Sequence, residues 1–389
     1  MLQRLTSHSP DLQRLVDDGY DLEIGAGHLL VRNIPYVNTK GEIRYGTLVS
    51  ELTLAGDSTK RPNTHVTHFV GEHPCHRNRQ EISEIKNQSA KQDLGDGLII
   101  DHSFSSKPAA GYKDYYEKMT TYIAIISSPA QSIDPNATPR IYPVSETDEV
   151  ESVFNYLDTA SSRAGISKIT NKLSIGKIGI VGLGGTGSYV LDLVAKTPVE
   201  EIHLYDGDKF FQHNAFRSPG APSVEELRQH LPKVQYFHGL YSKMHRGIVP
   251  HEYYIDASNV DELKELEFVF LCLDKGSQKK VMVDRLETSG ISFIDVGMGI
   301  ETFEDSLLGI VRTSTSTAEH PISEGRISFS DGVDDDYSQN IQIADLNALS
   351  AAFAVVKWKK LYKVYLDIDQ ERFSSYTISG NTLINEDKP

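Results

Sequence analysis

One segment, residues 178–220, holds the residue types and spacings that point most directly to chemistry: IGIVGLGGTGSYVLDLVAKTPVEEIHLYDGDKFFQHNAFRSPG. The apolar run 178–181 is followed by glycines in the G-x-G-x-x-G spacing: Gly182, Gly184 and Gly187. Such glycines let the backbone turn sharply and let a phosphate approach the positive N-terminus of a helix, predicted here from Ser188. A second strand, 202–205, ends at Asp206, where an acid can bind a ribose hydroxyl. The order of these parts predicts nucleotide binding rather than a turn made only for packing.

The residues that follow Asp206 indicate which nucleotide is bound. They are Asp208, Asn214, Arg217, Lys233 and, later, Asp274. They supply an amide, two cations and carboxylates able to hold a magnesium ion, a set that suits a triphosphate. An oxidoreductase that uses NAD needs none of them, and no hydride-transfer site is evident. Each cation alone would be interpreted as a solvated surface residue, but their register behind Asp206 favours chemistry at phosphorus.

Composition excludes several other classes of protein. The 389 residues carry a formal net charge of −15, which argues against an extended face for nucleic acid. Two cysteines, Cys75 and Cys272, provide neither a disulfide framework nor paired zinc ligands. The first residues are amphipathic and lack an apolar signal core, and no stretch approaches the length of a membrane span. We therefore expect a cytoplasmic protein that contacts neither membrane nor nucleic acid.

Two domains are predicted. Residues 1–140 are turn-rich and indicate a small α+β accessory domain of unknown role, with strands near four segments: 29–31, 64–70, 98–100 and 122–126. The proline-rich and polar stretch 128–147 is typical of a connector, and it places the boundary there. After it, residues 150–173 show apolar positions at helical spacing, which predicts a helix.

Residues 141–389 are predicted to form an α/β domain. Strands are expected at 177–181, 201–205, 268–273 and 292–296, with helices at 188–195 and 278–288. Alternation of this kind predicts a Rossmann-like, doubly wound and mostly parallel sheet with helices on both faces. A long helix with a small-residue face, 344–365, is expected to pack on that sheet.

With these motifs, residues 150–388 resemble the ThiF/MoeB/ubiquitin-activating enzyme superfamily of adenylyltransferases. The resemblance rests on GLGGTG with its additional Gly185, on the block from DGD to HNAFR, on PKV, and on the acid that ends FVFLCLD. It implies that the glycine turn and Asp206 bind ATP, that the phosphates are held by Asn214, Arg217 and Lys233, and that Asp274 binds Mg²⁺. The usual NLxRQ block is NAFRS here, so the spacing is kept and the glutamine is lost.

The resemblance also implies a reaction and an assembly. The reaction is ATP-dependent adenylation of the C-terminal carboxylate of a ubiquitin-like or sulfur-carrier protein, with release of pyrophosphate. The assembly is a homodimer in which an arginine, here Arg163, reaches the ATP of the neighbouring subunit. Bacterial proteins that fuse such an N-terminal domain to an adenylyltransferase are similar in layout. Two alternatives stay open: an NAD-dependent oxidoreductase and a non-catalytic nucleotide-binding adaptor.

Many activating enzymes pass the adenylate to their own cysteine. Residues 297–340 contain no cysteine, and Cys272 lies in an apolar strand where a packed thiol is expected. Cys75 is left as a possible thiol acceptor, with several histidines near it in sequence: His65, His68, His73 and His76. Imidazolium neighbours would lower the pKa of that thiol. The same cluster could instead bind a metal or form an ordinary polar turn.

Overall fold

The protein is described by a computed structural model that covers residues 5–6, 8–56, 58–144, 152–322, 324–329 and 341–388. The chain divides into two compact units, one formed by residues 1–147 with 156–167 and the other by residues 148–155 with 168–389. The predicted connector 128–147 is wrong at its start, because residues 128–133 form the end of the helix Tyr115–Ile133, and it ends at positions outside the described residues. The predicted helix 150–173 begins outside them.

The first unit contains a six-stranded antiparallel sheet, which matches the predicted α+β class. Its strand order is β1-β2-β3-β6-β8-β7. The strands are β1 Asp21–Gly25, β2 His28–Val37, β3 Ile43–Glu51, β6 Val66–Val70, β7 Lys86–Asp93 and β8 Ile99–Ser105, with a separate small pair of β4 Leu54–Ala55 and β5 Ser58–Thr59. The helices are α1 Pro10–Asp17 and α2 Tyr115–Ile133, and a 3-10 turn spans Ser83–Ile85. Three of the four predicted strands are confirmed, because 29–31, 64–70 and 98–100 fall on β2, β6 and β8.

The fourth predicted strand, 122–126, is wrong, since these residues lie inside α2. The Asp114 side chain accepts the backbone N–H of Glu117 and so caps the helix. Buried residues then recur at helical spacing and pack against the sheet: Tyr115, Met119, Tyr122, Ile123 and Ile126. The short apolar run resembled a strand because a buried helix and a buried strand cannot be distinguished over five residues.

The second unit is built on an eight-stranded sheet of order β11-β10-β9-β12-β13-β14-β15-β16. Its strands are β9 Lys177–Val181, β10 Glu201–Tyr205, β11 Ile248–His251, β12 Phe268–Leu271, β13 Ser292–Phe303, β14 Ser306–Ser316, β15 Phe373–Thr377 and β16 Thr382–Glu386. The strands β11, β10, β9, β12 and β13 are parallel, and the last three extend the sheet in antiparallel fashion. The carboxyl ends of β9, β10 and β12 therefore meet at one edge.

Helices cover both faces of this sheet, which confirms the predicted Rossmann-like fold. The helices that follow α2 in the chain are α3 Thr159–Arg163, which lies in the first unit, α4 Ser167–Thr170, which begins at the last residue of the first unit, and then those of the second unit: α5 Gly185–Val194, α6 Gln212–Ala215, α7 Val224–Arg228, α8 Lys233–Tyr241, α9 Gly276–Thr288 and α10 Ala344–Leu361. The second unit also has 3-10 turns at Asn171–Leu173 and Val260–Glu265. One face packs with α5 and α10 around Ile180, Leu191 and Trp358. The other packs with α9 through Met282 and Val283.

The continuous helix expected over 150–173 is wrong. The described part of that stretch holds α3, α4 and a 3-10 turn. Gly165, with φ of +68°, separates α3 from α4, because a left-handed residue ends an α-helix. Nowhere in the described parts of the chain is there a helix that combines the length and the apolar character needed to cross a bilayer.

Candidate functional site

A cavity of about 250 Å³ opens where the parallel strands β9, β10 and β12 end. Eight residues predicted from the sequence line it: Gly182, Gly184, Gly185, Asp206, Asp208, Arg217, Lys233 and Asp274. They come from four separate parts of the sequence, and the sheet brings them together because neighbouring parallel strands end at the same edge.

The glycine turn leaves no room for side chains on its inner surface. Gly182 has φ of +89°, and a Cβ atom there would lie 2.6 Å from the carbonyl oxygen of Cys272. A Cβ at Gly185 would overlap the amide of Asn347, and one at Gly187 would collide with the carbonyl of Gly182. Gly187 does not line the cavity, so it serves close packing of α5 on the strand. Of the three glycines of this turn that line the cavity, Gly182, Gly184 and Gly185, Gly184 is the exception, because no atom lies within 4 Å of the position that its Cβ would take.

Asp206 is buried and joins the glycine turn to the next loop. Its Oδ2 accepts the N–H of Leu183 at 2.7 Å, and its Oδ1 accepts the N–H of Asp208 at 2.8 Å. Lys233 Nζ lies 3.4 Å from the same carboxylate. The acid predicted to bind ribose therefore also fixes the two loops that border the cavity.

Lys233 stands between two carboxylates. Its Nζ donates to Asp208 Oδ2 at 2.7 Å as well as facing Asp206, and its side chain is only 7% exposed. The hydroxyl of Tyr254 donates to the other oxygen of Asp208. Burial would raise the pKa of Asp208, but the hydrogen bonds from Lys233 and Tyr254 hold it below its ordinary value. The group is an ion pair network held in place before any ligand arrives.

Arg217 reaches the cavity from the loop after α6. Its Nε is buried and has no hydrogen-bond partner among the described residues. Asn214, by contrast, does not line the cavity, and its Oδ1 accepts the N–H of Phe211 at 2.8 Å. This contact caps the N-terminus of α6, the short helix that precedes Arg217. The structure thus shows a positioning contact for Asn214, and the phosphate contact that the resemblance implies stays a prediction.

Two amide side chains at the start of α10 enter the cavity, and sequence reasoning missed both. Asn347 is 1% exposed; its Oδ1 accepts the hydroxyl of Thr186 at 3.1 Å, and its Nδ2 donates to the carbonyl of Arg217 at 3.2 Å. Gln342 Nε2 donates to Asp274 Oδ2 at 3.2 Å. The only signal in the sequence was a polar residue interrupting the small-residue face of ADLNALSAAF. Tyr254 and Lys275 also line the cavity without having been predicted.

The residues present fit a triphosphate with a magnesium ion. Arg217 Nε is a buried donor that has no partner in the described parts of the chain, and the bare glycine turn exposes backbone at the N-terminus of α5. Asp274 supplies a carboxylate oxygen, the kind of ligand that Mg²⁺ prefers. Most magnesium sites of this type use one or two carboxylates together with phosphate oxygens and water. Cations and acid thus occur in the combination that a bound metal triphosphate needs.

Cys75 does not have the environment expected of a reactive thiol. It is fully buried, its Sγ lies 3.4 Å from the carbonyl oxygen of His73, and burial together with Glu81 and Glu72 raises its pKa. The prediction that imidazolium neighbours lower this pKa is wrong, because desolvation and the two carboxylates raise it. Burial also lowers the pKa of His73, which disfavours an imidazolium there. The acceptor role of Cys75 stays a prediction, and its burial counts against it.

The histidines near Cys75 in sequence point to separate partners. His65 Nε2 bonds with the hydroxyl of Ser105, His76 Nε2 with Glu84, and His73 Nδ1 with the carbonyl of Pro74. Across the described residues, no three side chains of the metal-binding types converge on one point. The metal alternative for this cluster therefore has no geometric support.

Two further residues that the sequence singled out, Cys272 and Arg163, differ in whether they line the cavity. Cys272 lines the cavity next to the glycine turn, and burial raises its pKa, as expected for a packed thiol rather than a nucleophile. Arg163 is exposed at the end of α3 in the first unit and is not among the residues that line the cavity.

The fold and the site define a nucleotide-binding α/β protein with cations and acids placed at the end of the strands. Residues 156–377 match the ThiF family, so the chain belongs to that family. Residues 10–159 match a domain of unknown function, DUF6791. No curated protein matches the chain.

Several solved structures are similar to part of this chain at low sequence identity. The microcin C7 biosynthetic enzyme MccB in complex with N-formylated MccA has 15% identity and a TM-score of 0.45, over 59% of this chain and 70% of that chain. MccB of E. coli with ATP has 15% identity and a TM-score of 0.43, over 56% of this chain and 65% of that chain. PaaA has 14% identity and a TM-score of 0.44, over 56% of this chain and 75% of that chain. The chain therefore spans about two thirds to three quarters of these proteins.

Proposed function

We propose that this protein uses ATP to adenylate the C-terminal carboxylate of a polypeptide, with release of pyrophosphate, and that the polypeptide is a ubiquitin-like or sulfur-carrier protein. The observation that carries the proposal is the convergence of Asp206, Arg217, Lys233 and Asp274 on one cavity beside a bare glycine turn. Membership of the ThiF family supports it. The reaction would take place in the cytoplasm.

The chemistry explains why these side chains are needed. A carboxylate that attacks the α-phosphate brings negative charge to negative charge, and the departing pyrophosphate carries more. Arg217 and Lys233 would stabilise that charge, and the N–H groups at the start of α5 would hold phosphate oxygens. Asp206 would bind the ribose. Magnesium, when bound at Asp274, neutralises phosphate charge and orients the leaving group.

Lys233 has a second task that follows from its contacts. It is already paired with Asp206 and Asp208, so a phosphate must share the ammonium group with them. Because the three side chains are fixed in advance, little reorganisation is needed when the nucleotide binds.

The first unit would recruit the polypeptide or receive the activated chain.

Binding and exchange measurements separate this function from its alternatives. We expect calorimetry to show binding of Mg-ATP and not of NAD, because the charges after Asp206 suit a triphosphate. We also expect pyrophosphate to exchange into ATP when a suitable ubiquitin-like or sulfur-carrier protein is present. Tight NAD binding without a response to ATP would favour the oxidoreductase. ATP binding without exchange across a full set of candidate partners would favour the adaptor.

A homodimer with Arg163 acting across the interface is a further part of the proposal. Arg163→Ala and Asp274→Ala each remove one required group, so each variant alone should be inactive. In mixed dimers, one of the two sites would have both groups intact, and activity should return at that site. Mixed dimers that are verified by mass and stay inactive would show that Arg163 does not act on the partner's ATP.

A further inference from the structure

Gln342 lines the cavity, and the two polar atoms of its side-chain amide differ: in the described residues Nε2 has a hydrogen-bond partner and Oε1 has none. Its Nε2 donates to Asp274 Oδ2 at 3.2 Å. Its Oε1 is buried and has no partner among the described residues. Nothing in the family motifs quoted above involves this residue, which lies 68 positions after Asp274 and just before α10.

A buried carbonyl oxygen without a donor is unfavourable, because it loses its hydrogen bonds to water and gains none in return. Such groups are rare in folded proteins and call for an explanation. Asn347, the other amide in the cavity, has partners at both ends and holds Thr186 and Arg217 in place. Gln342 differs because its side chain lines the cavity while its acceptor has no hydrogen-bond partner among the described residues.

The position of Gln342 limits what that donor is. Phosphate oxygens only accept hydrogen bonds at neutral pH, so a triphosphate offers none at its charged end. The ribose hydroxyls are expected at Asp206, which follows β10. In the order β10-β9-β12, the end of β12 lies two strands from the end of β10, which is about 10 Å at the usual strand spacing. Asp274, which Gln342 contacts, follows β12 and therefore lies on the side of the cavity away from the expected ribose site. Water bound to a magnesium ion is a strong donor on that side, because Mg²⁺ keeps several of its waters.

We propose that Gln342 is a positioning residue for the metal: its Nε2 orients the Asp274 carboxylate and its Oε1 accepts a hydrogen bond from a water molecule of the magnesium ion. The inference rests on the proposed function, because it requires a metal triphosphate in this cavity. Residues that hold a metal ligand in this way typically change metal affinity by about 10–100-fold when they are replaced.

The test measures metal dependence rather than turnover. ATP binding to the full-length protein is followed by calorimetry over a range of free Mg²⁺ and in its absence, and Mn²⁺ binding in the presence of ATP is followed by electron paramagnetic resonance. Gln342→Met removes both polar atoms at similar length, and it should raise the free Mg²⁺ needed for half-maximal ATP binding by about tenfold. ATP binding without metal should not change. Gln235→Met, on the exposed side of α8, is the matched control and should leave both values as in the wild type.

A second variant separates a metal role from simple packing. Gln342→Glu has the same shape and keeps an acceptor oxygen, but it loses the Nε2 donor to Asp274. Because its negative charge attracts a cation, the Mg²⁺ requirement should rise clearly less than in Gln342→Met. A wild-type protein that fails to bind ATP at any Mg²⁺ concentration overturns the proposed function and this inference together. ATP binding by the wild type with the same Mg²⁺ requirement in Gln342→Met overturns the inference alone. Equal increases in the Met and Glu variants also overturn it, since they would indicate packing.

Discussion

Asp274→Asn should reduce pyrophosphate exchange by about 100-fold or more while the protein stays folded. The substitution keeps the size of the side chain and removes its charge, and one fixed charge at a transferring phosphoryl group is worth about that much. Asp274 lies in the cavity within reach of Gln342, and the asparagine would weaken the magnesium site without opening a hole. Exchange into labelled ATP with a functional partner protein is the measurement.

The alternative role for Asp274 is to cap α9, which begins at Gly276 after Lys275. Asparagine caps a helix about as well as aspartate, so a capping role predicts a stability change of a few tenths of a kcal/mol and nearly normal exchange. Asp284→Asn is a suitable control, because Asp284 is an exposed acid on the same helix, where it forms an ion pair with Lys280. Near-normal exchange in Asp274→Asn would remove the metal assignment and weaken the adenylyltransferase proposal.

Lys233→Met should both destabilise the protein and abolish ATP binding. The ammonium group of Lys233 lies 3.4 Å from Asp206, which is 5% exposed, so its removal leaves a buried carboxylate without a cation. Loss of one partner of a buried ion pair costs about 3–5 kcal/mol. Denaturant unfolding should show this loss, and calorimetry on the folded fraction should show no ATP binding.

Two further variants separate the stability effect from the binding effect. Lys209→Met changes an exposed lysine in the loop that carries Asp206 and Asp208, and it should alter neither quantity. Lys233→Arg keeps a cation beside Asp206, so it should recover much of the stability while binding the phosphates less well, because the guanidinium does not fit the geometry of an ammonium group. A Lys233→Met protein that is as stable as the wild type and binds ATP normally would show that the pair with Asp206 and Asp208 has neither role.

The local pattern of the sequence was enough to predict the nucleotide-binding half of the second unit. Strands β9 and β10 have the predicted bounds, and α5, α9 and α10 lie where helices were expected. These elements are determined locally, because an apolar strand, a glycine turn and a helix each leave a periodic signal within about ten residues. Since neighbouring parallel strands end at the same edge, the positions of Asp206 and Asp274 followed from the order of the elements.

What the sequence by itself determined was therefore the class of fold, the glycine turn and most of the charged residues that line the cavity. Only the tertiary structure decided how they are paired: Lys233 is held between two carboxylates, Asn214 supports a loop, and Cys75 is buried with a raised pKa. It also brought Asn347 next to Thr186, 161 residues earlier in the chain. Pairing and burial depend on contacts between distant parts of the chain, and periodicity carries no information about them because it describes only the face that each element turns to the core.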